Sequence, residues 1–503
     1  MIDGKKILLI YPPFFRLFDD GYSYGGYPLA LGYLAGEVKR STSWQVFTYN
    51  ADFNPGSERN DIKVTFSFRA GRGQENYLKN LTGDAPVWMQ IRKTIEKLRP
   101  SVVGISSSSQ SFRSASKIAS IAKSINPDTY VIIGGPHPSM VGAETLKCPD
   151  IDIAAKGEGE EILKELLHCF ETDTSISKVK GIAFRDNGRV SDTGMHPYIE
   201  NIDTLCFPYD SAPDVLIDFH YYFPRAFGSI FTSRGCPFAC TFCGSRNIWS
   251  RRVRFRSPGN IAEEISRLQR AGVESMRIAD DTFGINRRLT KEICVEIKEK
   301  CPGVKWKCEM NVAAVNNEVL SVMKAAGCFG IELGIESGDN RILYEIKKGI
   351  TIEKALEACR LVKKHGFELQ AYFMVGFPHD TEESLRNTAK AIARIDGYIC
   401  FNIFSPFPGS PLFDFCREKG LIDNSFDPCL HNYHSFEGFS MTVSRERFRQ
   451  IVSEMIRDVD KKNSLNRLRR TFSANTIWRI KELGLKSAVT KGLRLISAPF
   501  HRA

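Results

Sequence analysis

No stretch of the 503 residues approaches 18 consecutive apolar residues, so nothing in the sequence reads as a bilayer-spanning helix. The opening MIDGKKILLIYPP lacks the long apolar core and small-residue cleavage site of a secretory signal. Without such a signal, the fourteen cysteines read as reduced thiols of a cytoplasmic protein rather than a disulfide framework. A second clustered cysteine set is missing too, and with it the partner pair that a zinc site ordinarily needs. Acidic residues nearly vanish from residues 461–503, where eleven Lys or Arg face Glu482 alone, +11 − 1 = +10 of the chain's net +11. The remaining residues are therefore close to neutral, and the basic character belongs to the tail. Apolar content of 42% and charged content of 25% are ordinary for a globular protein, and the length allows two or three domains.

What is present is organised around FTSRGCPFACTFCGSR, residues 231–246. Cys236, Cys240 and Cys243 fall at C-x3-C-x2-C spacing after a strand-like run at 229–233, and Gly235 and Pro237 force the backbone into a loop. Thiolates this close together can converge on one iron–sulfur centre. Three ligands are one short of the four that fully hold a cubane, which leaves one iron open to a small chelating molecule. The plainer readings are a zinc knuckle or structural cysteines. Cys294, Cys301 and Cys308 recur every seven residues but straddle a helix end and a strand, so they read as ordinary core or surface thiols.

Residues 1–200 alternate strand and helix patterns in the manner of a doubly wound, Rossmann-like α/β domain. Strands are expected at 6–11, 45–49, 102–106, 131–133 and 151–155, with helices at 28–38 and 115–125. Residues 54–100 break the pattern as a polar insertion, the kind of segment that covers a site. Small residues cluster after successive strands: Ser106 in GISSSS, Gly134 and Gly135 in GGPHPS, Gly157 and Glu158 in GEGE. Ligands of open α/β sheets bind at those carboxyl ends, although tight turns use glycine as well. Residues 201–228 read as a linker. From 229 to 425, six strand–helix units recur, with strands expected at 229–233, 275–279, 305–310, 330–333, 368–374 and 398–404, which fits a partial (β/α)6 barrel rather than a complete eightfold one. Residues 426–503 read as a C-terminal helical region with the basic tail.

The cysteine loop resembles the radical S-adenosylmethionine (SAM) superfamily. The glycine-bearing strand ends, with YPLALGYLAG at 27–36, resemble the cobalamin-binding domain fused to one large class of it. The resemblance covers about residues 5–425 and implies a 4Fe–4S cluster on the three cysteines, SAM on the open iron and cobalamin on the first domain. Phe242 matches the aromatic placed beside the adenine. Asp280 and Asp281 in RIADDTFG would accept from the SAM ammonium, or else cap a helix. Glu336 and Ser337 in GIESG carry over as contacts to the ribose or methionine part, and Gly376 as part of a loop near adenine. One departure is the D-x-H-x-x-G loop that supplies histidine to cobalt in other cobalamin proteins: the loop after the first strand contains no histidine, and His137 is the nearest candidate by motif. The activity implied is reductive SAM cleavage with cobalamin-dependent methylation of an unactivated carbon, in a small molecule or lipid, fed by a flavodoxin- or ferredoxin-like donor. A ring-forming or oxidising member without methyl transfer is the alternative. A cobalamin sensor or nucleic-acid-binding protein using the basic tail is the non-enzyme alternative, and no nucleic-acid partner is expected on the favoured reading. The tail at 475–496 mixes apolar residues with Lys and Arg, and reads either as a helix packed on the barrel or as a peripheral membrane contact.

Overall fold

The computed structural model describes residues 5–55, 72–186, 188–430 and 436–471; the tail at 475–496 lies outside the described residues. Two sheets carry the architecture. The first holds β1 (Lys6–Tyr11), β2 (Gln45–Asn50), β3 (Val102–Ser106), β4 (Tyr130–Gly134), β5 (Ile153–Ala155), β6 (Ile182–Asp186) and β7 (Arg189–Asp192), in the order β2-β1-β3-β4-β5-β6-β7. Strands β1 to β5 run parallel, and the β6–β7 hairpin adds an antiparallel edge that the sequence pattern did not announce.

KILLIY is apolar throughout because both of its faces are covered. Leu8 and Ile10 join one core with Ile91, Ile118 and Ile121 of the helices Pro86–Leu98 and Phe112–Ile125. Ile7 and Leu9 join the other, with Leu31 and Leu166 of the helices Leu29–Ser41 and Gly159–Thr172. The strand order reverses between β1 and β3, so the crevice for a ligand opens there, at the carboxyl ends.

The segment between the sheets is no loose tether. The helix Pro208–Val215 lies against the helix Leu29–Ser41, and Ile217 donates its amide to Thr48 O at 2.9 Å along the edge of β2.

The second sheet follows the order β8-β11-β12-β13-β14-β15, all parallel: β8 (Ser229–Ile230), β11 (Ser275–Phe283), β12 (Lys305–Met310), β13 (Cys328–Glu336), β14 (Glu368–Val375) and β15 (Tyr398–Ile403). Helices on the outside bury the apolar face of each strand, which makes a six-stranded open barrel. Two expectations about it need correction. The run 229–233 is not one strand: after β8 the chain turns and forms β9 (Ser233–Arg234), which pairs antiparallel with β10 (Arg254–Phe255). Strand β11 does not stop at residue 279, but continues with a register shift between Ile278 and Phe283, so Asp280 and Asp281 lie inside it. The two deviations share a cause. Asp280 accepts from the Thr232 amide at 2.6 Å and from the Thr232 and Ser233 hydroxyls at 2.5 and 2.6 Å, which draws the chain across after β8.

The open edge of β15 is sealed by the helix Arg445–Thr471. Asn463 imitates a neighbouring strand: its Oδ1 accepts from Ile399 N and its Nδ2 donates to Ile399 O, both at 2.8 Å, and Asn466 Nδ2 reaches Gly397 O. An unpaired edge invites association with other chains, and this one is met by the side-chain amides of Asn463, which is buried, and Asn466, which is half-buried. Replacing Asn463 with leucine leaves two buried backbone groups unsatisfied, at about 1–3 kcal/mol each. We expect a lowered midpoint in urea unfolding and concentration-dependent aggregation, read by light scattering.

Candidate active site

The cysteine loop is fixed from three sides. Gly235 has φ +110°, and a side chain there would collide with the Arg252 carbonyl. Thr241 donates its amide to Ile346 O at 3.0 Å and accepts from Leu412 N at 2.9 Å, while Asn247 Nδ2 donates to Gly409 O at 2.8 Å. Within the loop, Cys243 N donates to Cys240 O at 3.2 Å and Ser245 N to Cys243 Sγ at 3.4 Å. Burial pushes all three thiols up, Cys243 to about 11; Glu336 adds to it at Cys240 against Lys348, and Asp281 and neighbouring thiols add to it at Cys236 and Cys243. They are thus close enough to feel one another. Among the described residues, no three His, Cys, Asp or Glu are grouped so as to hold a single metal ion. The other three cysteines of interest, Cys294, Cys301 and Cys308, are buried apart from this loop.

The strand ends around the loop sort the expected residues into two groups. Asp281 is exposed and its Oδ2 accepts from Ser245 Oγ at 2.6 Å, which ties β11 to the cysteine loop. Glu336 ends β13 with φ +75°, a left-handed conformation that costs on the order of 1–2 kcal/mol outside glycine. It is held there by Lys348, whose Nζ lies 2.8 Å from Glu336 Oε1. Gly334 makes room for the pair, since a Cβ at that position would stand 2.7 Å from Glu336 Oε1 and 2.9 Å from Lys348 Nζ. Phe242 lies with its ring 5.9 Å from Lys348 Nζ and 6.1 Å from the Phe377 ring.

The remaining residues have partners within the chain. Asp280 is consumed by Thr232 and Ser233, as described, and burial lifts it to about 6. Ser337 is buried, lies 3.3 Å from Thr388 Oγ1 and accepts from Asp339 N. Gly376 (φ +92°) lies beneath Gly438 and Phe448, where a Cβ would press on both.

Lys348 was not anticipated from sequence. The helix Asn340–Glu345 ends with Lys347 at φ +51°, Lys347 N donating to Tyr344 O and Lys348 N to Leu343 O. This Schellman arrangement turns Lys348 back toward the cysteine loop. Burial alone would lower its pKa, but Glu336 and then Cys240 outweigh that and keep the ammonium charged.

At the first sheet, Ser106 ends β3 and Gly135 takes φ +98°, a Cβ there meeting Ser107 O at 3.0 Å. Ser107 N donates to Gly134 O at 2.8 Å, and Gly157 (φ +82°) donates its amide to Ser139 Oγ at 2.9 Å. In the same crevice Gln110 Nε2 is buried without an acceptor among the described residues. An orphaned donor beside glycine-lined strand ends fits a large polar ligand such as cobalamin. His137 is occupied: its Nδ1 lies 3.1 Å from Ser109 Oγ, its ring stacks on Phe112 at 4.0 Å, and burial lowers its pKa to about 4.

Glu158 does something other than expected. Its Oε1 accepts from Arg234 Nη1 at 2.7 Å and its Oε2 from Arg254 Nη1 at 2.6 Å and from Ile199 N at 2.8 Å, while Glu160 accepts from Arg234 Nη2 at 2.6 Å. All four side chains are at most 6% exposed. Arg234 stands two residues before Cys236 and belongs to the barrel. Its guanidinium also lies over Tyr33 and Trp249 at 5.1 and 5.3 Å. The carboxyl end of the first sheet is therefore bolted directly to the root of the cysteine loop. Met140, from the helix Pro136–Val141, packs against Gly244 and Gly409 and adds a second contact between the same two edges.

The sequence model described as the radical SAM superfamily matches residues 230–392, and that of the B12 binding domain matches residues 72–167. An uncharacterised methyltransferase of Pyrococcus horikoshii is 32% identical over 83% of this chain and 84% of its own length. The chain belongs to the cobalamin-binding radical SAM family. This radical SAM protein is also 29% identical, over 66% of its length and 61% of the relative's, to the anaerobic magnesium-protoporphyrin IX monomethyl ester cyclase of Rubrivivax gelatinosus. Its fold is shared with the radical SAM methyltransferase TsrM of Kitasatospora setae, at TM-score 0.65 and 16% identity over 83% of this chain and 76% of that one. Membership makes it an enzyme whose cofactors are a 4Fe–4S cluster, SAM and cobalamin, and which acts on a small molecule with electrons from an external donor. No helix among the described residues is long and apolar enough to cross a membrane.

Proposed function

We propose that this radical SAM protein is a cobalamin-dependent methyltransferase acting on an unactivated carbon of a small molecule. The reading rests on one arrangement above all: the cysteine loop is locked to the carboxyl end of β5 through Arg234, Arg254, Glu158 and Glu160, and to the helix after β4 through Met140, which supports cofactors bound at the two edges facing each other. Cys236, Cys240 and Cys243 would hold the cluster. Glu336 and Lys348 offer opposite charges to the zwitterionic end of SAM, the carboxylate toward its ammonium and the ammonium toward its carboxylate. Phe242 and the Gly376 loop would border the adenine, and Ser106, Gly134, Gly135 and Gly157 the cobalamin. Once bound, the cluster with SAM supplies radical chemistry and the cobalamin a transferable methyl group. The protein's own part is to orient the cofactors and exclude water. The name of the Pyrococcus relative supports methyl transfer; the cyclase relative supports ring formation without it. Anaerobic turnover with methyl-labelled SAM separates the two: label in the product is expected, and deoxyadenosine with an unlabelled product overturns the methyltransferase reading.

The loop after β1 has no histidine and His137 is held by Ser109 and Phe112, so no histidine of these segments is expected to ligate cobalt. Electron paramagnetic resonance of the cobalt(II) protein should lack nitrogen superhyperfine splitting from a histidine. A flavodoxin- or ferredoxin-like protein is the proposed electron donor. The basic tail is proposed as a peripheral contact with anionic lipid, where each well-placed cation contributes about 1 kcal/mol. Flotation with anionic vesicles should compare the full chain with one ending at Thr471 rather than earlier, because Asn463 and Asn466 are needed to seal β15; equal recovery in the unbound fraction would remove the membrane reading.

A further inference from the structure

Barrels of this kind usually fill their inward positions with branched apolar side chains. Here the face of β11 to β14 turned away from the helices carries Arg277, Lys307, Glu309, Glu332, Gln370 and Tyr372, while the alternate residues form the apolar core. Grouping so many charges inside a fold is costly unless each is satisfied, and one half of this network is satisfied. Glu332 accepts from Lys307 Nζ at 2.7 Å, from Arg277 Nη2 at 3.1 Å and from Tyr372 OH at 2.8 Å, and Gln370 Nε2 in turn donates to Tyr372 OH at 2.8 Å. Burial opposes its charge, but Lys307 and Arg277 hold its pKa below the usual range.

The other half is left open. Among the described residues Glu309 has a single long contact, 3.4 Å from its Oε2 to Arg277 Nη2, and Arg277 Nε is buried with no acceptor. The Glu309 and Arg277 side chains are 36% and 41% exposed although both lie inside the barrel, so they border an open space. Burial raises the Glu309 carboxyl to about 7, with Arg277 and Lys348 opposing and Glu332 and Glu336 adding to the rise. Tyr24, in the loop that follows β1 in the first sheet, feels the charge of Arg277, which counters the burial that raises its phenol. The open half therefore lies where the two sheets meet.

We propose that Arg277 and Glu309 form the anchor for an oxyanion of the substrate, a carboxylate or a phosphoryl group. The guanidinium supplies charge and donors, and Glu309, in its protonated form, supplies a second donor in place of a repelling carboxylate. This inference rests on the enzyme reading above and names the class of molecule that the same active space receives.

The test uses full-length protein reconstituted with cluster and cobalamin, with acetate and inorganic phosphate as probes of the two oxyanion classes, titrated by calorimetry. One or both should bind, and Arg277→Gln should weaken binding roughly 10- to 100-fold, the loss of a hydrogen-bonded charge. Arg277→Lys should recover part of it, and unchanged thermal melting separates lost binding from lost folding. Acetate should bind more tightly to the parent protein as pH falls through about 7, whereas Glu309→Gln should bind with the same affinity on both sides of that pH. The charged groups facing Glu309 are Arg277, Lys348, Glu332 and Glu336. Equal binding by parent and Arg277→Gln, or no binding of either probe, overturns the proposal. Displacement of the probe by saturating SAM also overturns it, because it assigns the pair to SAM. Deoxyadenosine production, measured on the same samples, reads the radical SAM assignment independently, and its failure is thereby distinguished from failure of the anchor.

Discussion

Replacing Cys236, Cys240 and Cys243 together with alanine should reduce deoxyadenosine formation from SAM to the level of a protein-free control, and should remove the iron–sulfur absorbance of anaerobically prepared protein. Single replacements should do the same, because three ligands are the least that can hold a cubane while leaving one iron exposed. The loss should be chemical rather than structural. The loop is held mainly by the backbone of Thr241, the side chain of Asn247 and the close approach at Gly235, and the one bond lost with the sulfurs is the long contact from Ser245 N to Cys243 Sγ. Cobalamin binding, followed by its visible spectrum, is accordingly expected to survive. Deoxyadenosine production by the triple variant would contradict the assignment of the cluster.

The second large effect is expected at Glu158. Changing it to glutamine preserves volume but removes the carboxylate charge that Arg234 and Arg254 share and leaves one amide oxygen where two oxygens accepted, with Glu160 and the Ile199 carbonyl as the other partners and both guanidinium groups still buried. Removing one partner of a buried ion pair costs about 3–5 kcal/mol. Because the pair joins the two sheets, the cost falls on their association. Differential calorimetry should resolve two separated transitions in Glu158→Gln where the parent shows closer coupling. Replacing Glu158 and Arg254 together with leucine and methionine should restore part of the loss, since apolar pairs of similar volume often match a buried salt bridge. Turnover should separate as well: SAM cleavage should persist while methylated product declines, because each cofactor keeps its own cradle and only their mutual placement is disturbed. Equal stability of parent and Glu158→Gln would show that the contact carries no energy.

Local pattern announced the parts of this fold that depend on local pattern. KILLIY, VVGIS and YVIIG are short apolar runs bounded by turn residues, and all are strands. The cysteine spacing is confined to eight residues and needs no knowledge of the rest. What stayed hidden depends on partners far away in the chain. Glu158 looked like part of a glycine-rich ligand turn because the arginines that claim it lie 76 and 96 residues downstream. In RRVRFRS at 251–257, Arg254 and Arg256 are both buried, and nothing local names the carboxylates that meet them. Asp280 misled for a similar reason: a carboxylate near an expected strand end suggests a ligand, and only the path of residues 231–233 reveals it as a bracket for its own chain. The turn of Lys348 back toward the cysteine loop was hidden as well, because it depends on the room left by Gly334 on β13.

The seal on β15 also bears on how the chain is born. Asn463 is synthesised 64 residues after Ile399, the residue whose backbone it satisfies. At cellular elongation rates that gap lasts roughly 3–13 s, long compared with the milliseconds in which the helices and strands of the barrel can form. Each nascent chain thus passes through a stage in which six strands are assembled and the outermost is bare. Polysomes bring such chains close together on one message, so this is the interval when edge-to-edge pairing competes most strongly with folding. Chaperone occupancy on the nascent chain should peak between the emergence of β15 from the ribosome and that of Asn463, and a chain released within that interval is a finished sheet with nothing to close it.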